Sequence, residues 1–314
     1  MPTRWVGIDE AGYGPNLGPL VMTAVVAVSQ DNRPPEFWSD LAATVDRAGG
    51  AIEKLWVDDS KKIHKPGTGR DRLETTCLAA AAEISGGRVP VTLGDLVAVF
   101  GAGSLQDAEV SPWLDAGDPV LTPRSFSMPR PFSSDSWRIE TIRTVVLGPA
   151  RFNAGLDRFN SNKAKVHFEA FADLIKHIWN LGIDGAVTHV RGDKHGGRHY
   201  YYEPLLNVFP DAWIDRGPEG PDLSRYTIRE RGRQLQLSLM PRADSGDGLV
   251  ALASIVSKAI REYWMDVFNA HWCSRLPDLK PTAGYPVDAV RFRQAIEPDC
   301  KRRGLETSVW WRAK

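Results

Sequence analysis

Val6-Gly7-Ile8-Asp9-Glu10-Ala11-Gly12-Tyr13-Gly14-Pro15 is an apolar strand that ends in two adjacent carboxylates and runs straight into glycines. Side-by-side Asp and Glu repel each other unless a cation holds them. Hard divalent ions such as Mg²⁺ take one or two carboxylates together with water and phosphate oxygens. The stretch therefore points toward metal-assisted phosphoryl chemistry, against the plainer reading of a solvated strand end followed by a turn.

Outward from this stretch, residues 4–9 and 20–28 read as two strands joined by a turn holding Gly12, Gly14, Pro15, Gly18 and Pro19. Such a turn predicts a hairpin-like pair. A helix is expected near 36–48, a strand over Lys54-Leu55-Trp56-Val57 and a helix from about Asp71 to Ile84. Between the last two, Asp58-Asp59-Ser60-Lys61-Lys62 carries residues able to cap a short helix. Residues 100–140 are rich in Pro, Gly, Ser and Asp without a sustained period, which predicts a long surface insertion.

Residues 142–148 read as a strand, and 162–181 set Val166, Ala170, Phe171, Leu174, Ile175 and Ile178 on one helical face. Ile183 to Val190 reads as the next strand, giving strand–helix–strand with a parallel pairing. Its continuation, 191–198, is polar, glycine-containing and charged. Residues 225–240 read as a hairpin that leads into Ala243-Asp244-Ser245-Gly246-Asp247. From there Leu249, Leu252, Ala253, Val256, Ala259, Ile260 and Tyr263 trace an amphipathic helix to about Ala270.

With 314 residues, 42% hydrophobic and 25% charged, the chain can bury a full core in one large domain or two small ones. Lys+Arg and Asp+Glu are equal at 39 each, so any nucleic-acid contact must rest on a local patch. Cys77, Cys273 and Cys300 form neither a disulfide framework nor a zinc pattern, which fits a reducing compartment. The longest apolar run, Leu20 to Val28, is too short to span a bilayer. A strand begins almost at Met1, with no room for a signal peptide. A cytoplasmic protein with no membrane partner is expected.

Three signatures come in one order: Gly7-Ile8-Asp9-Glu10-Ala11-Gly12, then Asp59-Ser60-Lys61-Lys62, then Ala243-Asp244-Ser245. The last is followed by Ser254-Ile255-Val256-Ser257-Lys258 and Arg261-Glu262. At these residues the chain resembles the type 2 ribonucleases H, the ribonuclease HII family. That family reads G-I-D-E-A-G-R-G-P, D-S-K-K, and A-D-S followed by A-A-S-I-x-A-K-x-x-R-D. Ala283-Gly284-Tyr285-Pro286-Val287-Asp288 is similar to its S-G-Y-P-S-D, and Val309-Trp310-Trp311-Arg312 to its aromatic, Arg-containing end. The likeness covers most of the chain outside the insertion and the 211–240 hairpin. Each motif alone is weakly specific, whereas the ordered set is strong.

The resemblance implies an α/β, ribonuclease H-like fold: a mixed five-stranded sheet flanked by helices, with a C-terminal helical segment. Residues 1–270 would form the catalytic domain, carrying the 100–140 insertion, with 271–314 packed on it as an extension. It also implies four carboxylates gathering two Mg²⁺ or Mn²⁺ ions, with Asp9 bridging, Glu10 supporting one ion, and Asp244 joining them. Strand neighbours alternate faces, so Glu10 must reach the site from a frayed strand end. The family's remaining carboxylate ends the strand equivalent to 183–190, where this chain has Arg191. Asp193, two residues on and on the same face, is the first candidate, and Asp247 is the reserve. Asp244 is also placed to cap the long helix, and Asp247 to complement its dipole.

Lys61 and Lys258 match lysines that grip the nucleic-acid backbone, and Tyr285 matches a tyrosine that packs on the sugar and senses the 2′-hydroxyl. Lys194 and Arg198 are additions specific to this chain. His195 and His199 either assist proton transfer or phosphate contact, or are polar loop residues. Gly12-Tyr13-Gly14 stands where the family has G-R-G. The glycine amides persist, the cation does not, and an aromatic ring is available to stack on a base or sugar. Trp310 and Trp311 read as core residues or as nucleic-acid contacts.

The implied function is a monomeric, Mg²⁺- or Mn²⁺-dependent endoribonuclease on RNA/DNA hybrids or DNA containing ribonucleotides, leaving 3′-hydroxyl ends. Two ions about 3.5–4 Å apart would stabilise the attacking and leaving oxygens of an in-line displacement. Two other readings stay open. One is a nuclease of the same fold on another nucleic acid, kept alive by Gly-Tyr-Gly. The other is an inactive duplex-binding relative, which gains nothing from negative charge facing phosphates.

Overall fold

The structure is a computed structural model that describes residues 2–64, 68–101, 110–114, 117 and 132–313. Most of the 100–140 insertion therefore lies outside the described residues. Strands β1 (Thr3–Ala11) and β2 (Leu20–Ser29) pair antiparallel, as the glycine- and proline-rich turn requires. A single turn, α1 (Phe37–Asp40), precedes β3 (Val45–Asp46) and β4 (Leu55–Trp56), which pair parallel with each other. Helices α2 (Ser60–Ile63), α3 (Gly69–Ile84) and α4 (Leu93–Val99) follow, then β5 (Trp137–Leu147). After α5 (Pro149–Arg158) and α6 (Lys163–Leu181) come β6 (Val187–Asp193), α7 (Tyr202–Val208) and the strands β7 (Trp213–Glu219), β8 (Ser224–Glu230) and β9 (Arg233–Met240). A 3₁₀ turn (Ala243–Ser245), α8 (Gly248–Cys273), α9 (Pro286–Arg302) and a last 3₁₀ turn (Thr307–Val309) complete the chain.

The main sheet is mixed, with strand order β5-β2-β1-β6-β9-β8-β7. It has seven strands where the resemblance implies five, because the β7–β8 hairpin extends it beyond β9. β1, β6 and β9 run parallel, which puts their C-terminal ends at one edge of the sheet. All ten residues of β2 are buried, as befits an apolar strand covered on both faces. On one face α8 packs against β1 and β2 through Leu249, Leu252, Val256 and Ile260. On the other, α6 and α7 bury Phe171, Leu174, Ile178 and Leu205 against β1, β6, β8 and β9.

Three local expectations change. The helix near 36–48 shrinks to one turn because Asp46 accepts from the backbone N–H groups of Arg47 and Ala51, closing a local turn that competes with helix. The strand expected at 183–190 is displaced to Val187–Asp193, since Gly185 turns at φ +82° and bonds Gly232 across the loop. That strand, β6, does not pair with β5 across α6; β2 and β1 lie between them, and its partners are β1 and β9.

Helix α8 lies directly on the backbone of β1 at Gly7. A methyl group there would collide with the main chain of Leu249 and Val250. Overpacking of a backbone contact cannot be relieved by a side-chain rotamer, so Gly7→Ala should cost about 2 kcal/mol or more. A denaturant midpoint unchanged by that substitution would show that α8 does not rest on this contact.

Candidate active site

The parallel ladder between β1 and β6 ends at the pair Ile8 and Gly192. Asp9 and Asp193 are the next residue on each strand, so they stand side by side where the sheet stops. Asp9 is buried, and burial drives its carboxyl well above the usual range, with the charges of Glu10 and Asp193 adding to the effect. A hydrogen bond from Ser254 on α8 works the other way. Ser254 Oγ also lies 3.1 Å from Ser60 Oγ, which docks the Asp59-Ser60-Lys61-Lys62 segment against the same spot.

Asp193 is raised too, first by its partial burial and then by Glu10. One of its oxygens accepts from the N–H groups of Lys194 (2.9 Å) and Arg242 (2.8 Å). The second bond fixes the turn before Asp244, where Arg242 is left-handed at φ 58°. That conformation costs a non-glycine residue about 1–2 kcal/mol, which bonds to a carboxylate offset. Asp244 follows in the 3₁₀ turn. Burial, Asp59 and Asp193 push it up to about 6, with Lys61 acting to lower it. Asp9, Glu10, Asp193, Asp244 and Asp59 are thus linked through mutual repulsion.

Asp247, the reserve carboxylate, is committed elsewhere. It is the N-cap of α8, accepting from Leu249 (2.9 Å) and Val250 (3.3 Å), and its other oxygen meets Arg191 at 3.1 Å. The capping role expected of Asp244 therefore belongs to Asp247. Glu10 also departs from expectation. The β1–β2 ladder continues through Glu10 and Met22 to Ala11 and Val21, so Glu10 is not on a frayed end. Its carboxylate lies 3.5 Å from His167 Nε2 of α6. His167 is buried with neither ring nitrogen hydrogen-bonded, and its ring centroid is 4.6 Å from that of His195. Burial holds His195 well below its ordinary value. Sequence reasoning misses His167; the one available signal is a histidine beside Val166 on the apolar side of an amphipathic helix.

Among the phosphate candidates, Lys61 is exposed beside Asp244, with its own N–H capped by Asp59. Lys258 pairs with Glu262 at 3.3 Å, a residue that also meets Arg70. Lys194 is turned away: its ammonium donates to Gly220 O and Ser224 Oγ, both at 2.7 Å, tying its loop to the β7–β8 turn. Arg198 donates to Ala164 O at 3.1 Å. His199 Nδ1 is buried without a hydrogen-bond partner. Tyr285 is half exposed, with the Arg261 guanidinium 5.8 Å from its ring centre.

Two buried arginines hold the glycine loop. Arg312 donates to Gly12 O (2.6 Å) and Tyr13 O (3.0 Å) over the ring of Phe152, and burial lowers its pKa to about 9. Arg261 donates to Leu17 O (3.3 Å) and Ala283 O (2.8 Å). Gly12, at φ +87°, leaves room for Arg261, whose Cδ would be 2.9 Å from an added Cβ. The Tyr13 ring packs edge-on against His167 and over Gly196, with the Lys163 ammonium 4.7 Å from its centre. Trp310 is fully buried in the core, while Trp311 is partly buried against it.

The donors at the strand ends are carboxylate oxygens, the chemistry that suits a hard divalent ion. Among the described residues, no three His, Cys, Asp or Glu side chains are drawn around a single point. No described helix is long and apolar enough to cross a membrane.

No protein-family model matches the chain, and no curated protein matches it significantly. Solved structures similar to it are ribonucleases H. The ribonuclease H2 of Pyrococcus horikoshii OT3 is 14% identical, with 98% of this chain and 92% of that one covered and a TM-score of 0.41. The RNase HII of Archaeoglobus fulgidus, solved with PCNA, is 15% identical, with coverage of 99% and 94% and a TM-score of 0.40. Bst-RNase HIII in complex with Mn²⁺ is 16% identical, with coverage of 99% and 66% and a TM-score of 0.44. Likeness at this level assigns neither substrate nor residues to this chain.

Asp244 titrates near 3.8 when unperturbed and about 6 when folded. Between those values the folded state holds more protons than the unfolded one, so stability falls as pH rises through that window. In chelator, Asp244→Asn should therefore gain stability over the parent at pH 8, on the order of 1 kcal/mol after solvent screening of a half-exposed group. The gain should vanish near pH 4. A variant whose denaturation midpoint tracks the parent at both pH values would remove the repulsion among these carboxylates.

Proposed function

We propose that the chain is a divalent-metal-dependent nuclease that hydrolyses the RNA strand, or embedded ribonucleotides, of RNA/DNA duplexes and leaves 3′-hydroxyl ends. The observation that carries this reading is the adjacency of Asp9 and Asp193 at two parallel strand ends, with Asp244 on the turn that Asp193 anchors. Each of the three carboxyls is raised, so its ionised form is costly until a cation relieves it. Carboxyls perturbed by burial together with specific charge partners cluster at functional sites.

Asp9, Asp193 and Asp244 are the residues that would hold Mg²⁺ or Mn²⁺, with Glu10, on the His167 side of the strand but close enough to raise Asp9 and Asp193, joining them. When bound, such ions supply a hydroxide nucleophile and neutralise the leaving 3′ oxygen. Ser254 orients Asp9, and Arg242's backbone N–H orients Asp193. Lys61, exposed beside Asp244, is set to contact a phosphate next to the cleaved bond. Tyr285 offers an exposed ring at the edge of the glycine loop, where a ribose would pack. The loop itself differs from Gly-Arg-Gly in one respect that has a local answer. Tyr13 is packed on Gly196 and His167, and Lys163 brings a cation over its ring.

Incubation with three labelled duplexes in Mg²⁺ or Mn²⁺ tests the reading: uniform RNA/DNA, DNA with one ribonucleotide, and all DNA. At least one ribose-containing duplex should be cut and the all-DNA duplex should not. Asp9→Asn should reduce the rate by a factor of about 10³ or more while the protein stays folded. Equal cleavage of the all-DNA duplex would exclude ribose selectivity, and full activity in Asp9→Asn would exclude the site.

A further inference from the structure

Strand alternation splits the outer half of the sheet into two unlike faces. Leu235, Leu237 and Leu239 of β9 and Tyr226 and Ile228 of β8 are fully buried on the α7 side. The residues between them point the other way, to the same side as Asp9 and Asp193. On that face the registers set rows across the strands. Asp193 is level with Met240, and two residues down Arg191, Ser238 and Arg225 form one row across β6, β9 and β8. Two more rows down, Arg229 is level with Gln234 and with Trp213 on the edge strand β7.

Arg191, Arg225, Arg229 and Trp213 are all exposed, Trp213 at 71%. A solvated antiparallel face needs only polar residues. This one has more. Of the arginines on the outer strands, Arg225 and Arg229 stand on this face beside Arg191, with Asp215 as the acid level with Thr227, and the span from Trp213 to Arg242 has no lysine. Arginine offers a planar fork that pairs with phosphate and stacks on bases, which lysine does not. Arg191 leans on the Asp247 cap of α8, and Arg229 pairs with Asp215, while Arg225 has no ion pair among the described residues. The indole of Trp213 is oriented by its N–H donating to Asp215 at 2.7 Å.

We propose that this open face of β6, β9, β8 and β7 binds the stretch of nucleic acid that flanks the reacting phosphodiester. The proposal rests on the nuclease reading for its position. A backbone whose reacting phosphate sits on the Asp9–Asp193 row crosses the Arg191–Ser238–Arg225 row next, about 7 Å further along the strands. Arg191 and Arg225 are two strand spacings apart, about 10 Å, and supply guanidinium groups on either side of Ser238. Trp213 lies at the outer end of the path as a stacking surface. The β7–β8 hairpin, which lengthens the sheet past five strands, thereby lengthens the substrate track.

The test measures binding by Asp9→Asn protein, with and without Arg225→Glu, to three labelled RNA/DNA hybrids. One ends at the carboxylates, one adds a duplex extension and one adds a single-stranded extension. Arg225→Glu should lower the ratio of extended to short affinity about tenfold, and flatten its salt dependence by about one unit of log–log slope for each phosphate no longer neutralised. Trp213→Ala should weaken the single-stranded extension more than the duplex, whereas the reverse order would assign the track to duplex. Unchanged melting temperatures keep the result from reflecting misfolding, and Arg225→Ala replaces the glutamate variant if that one melts early. An affinity ratio indifferent to Arg225, or a dimer dispersed by Trp213→Ala in place of any nucleic-acid effect, overturns the proposal. Arg225-dependent binding without cleavage by the wild type would sink only the catalytic reading; cleavage with an Arg225-independent ratio would sink only this one.

Discussion

Everything at the candidate site depends on where the β1–β6 ladder stops. Parallel strands that end together present their last side chains to the same space, and here those side chains are Asp9 and Asp193. The ladder is held against α8, whose backbone touches β1 at Gly7 with no side chain between them. That contact brings Ser254 up to Asp9 and sets the helix N-terminus, with its Asp247 cap, beside Arg191. The preceding turn then carries Asp244 into the same neighbourhood. Asp193 thus stands between Asp9 on the neighbouring strand and Asp244 on the turn before α8, and feels the charge of each.

Holding them there costs stability, and the surrounding structure supplies it. The carboxyls sit above their ordinary range because they are buried and close to one another. Against this stand an extensive core and two buried guanidinium groups that bind main-chain carbonyls. Arg261 and Arg312 come from α8 and from the C-terminal segment, and between them they tie down the loop that follows the Asp-Glu pair. A buried cation is expensive unless its donors are used, and here main-chain carbonyls take terminal N–H groups of both, while the Nε of each has no partner. A glycine-rich loop that would otherwise be mobile is thereby kept in one shape next to the acids.

Much of this is legible in the chain. The apolar run ending in Asp9-Glu10, the Gly/Pro turn, the amphipathic period of α8 and the hairpin over 225–240 all follow from spacing and turn chemistry. That Asp193 shares a strand face with Arg191 is also readable, because a two-residue step keeps a strand's face. Other features are not. Lys194 reads as a phosphate ligand, but its ammonium satisfies Gly220 and Ser224, partners 26 and 30 residues away. Asp247 rather than Asp244 caps α8, because which of two nearby acids caps a helix depends on where its first turn begins. The helix near 36–48 fails because one carboxylate, Asp46, closes a turn more cheaply than the helix could form.

Local chemistry, then, was decided by the sequence alone: where the strands β1, β2, β8 and β9 run, where acids and glycines punctuate them, and that the charge on the whole chain is neutral. Those are properties of neighbouring residues, set by alternation, capping and backbone freedom. The tertiary structure decided what no local rule contains. It chose β1 and β9 as the partners of β6, sent Glu10 toward a buried histidine and used Arg312 to clasp Gly12. It also left one face of the lengthened sheet open to solvent. Each of these joins residues far apart in the chain, and only packing in three dimensions settles which of them meet.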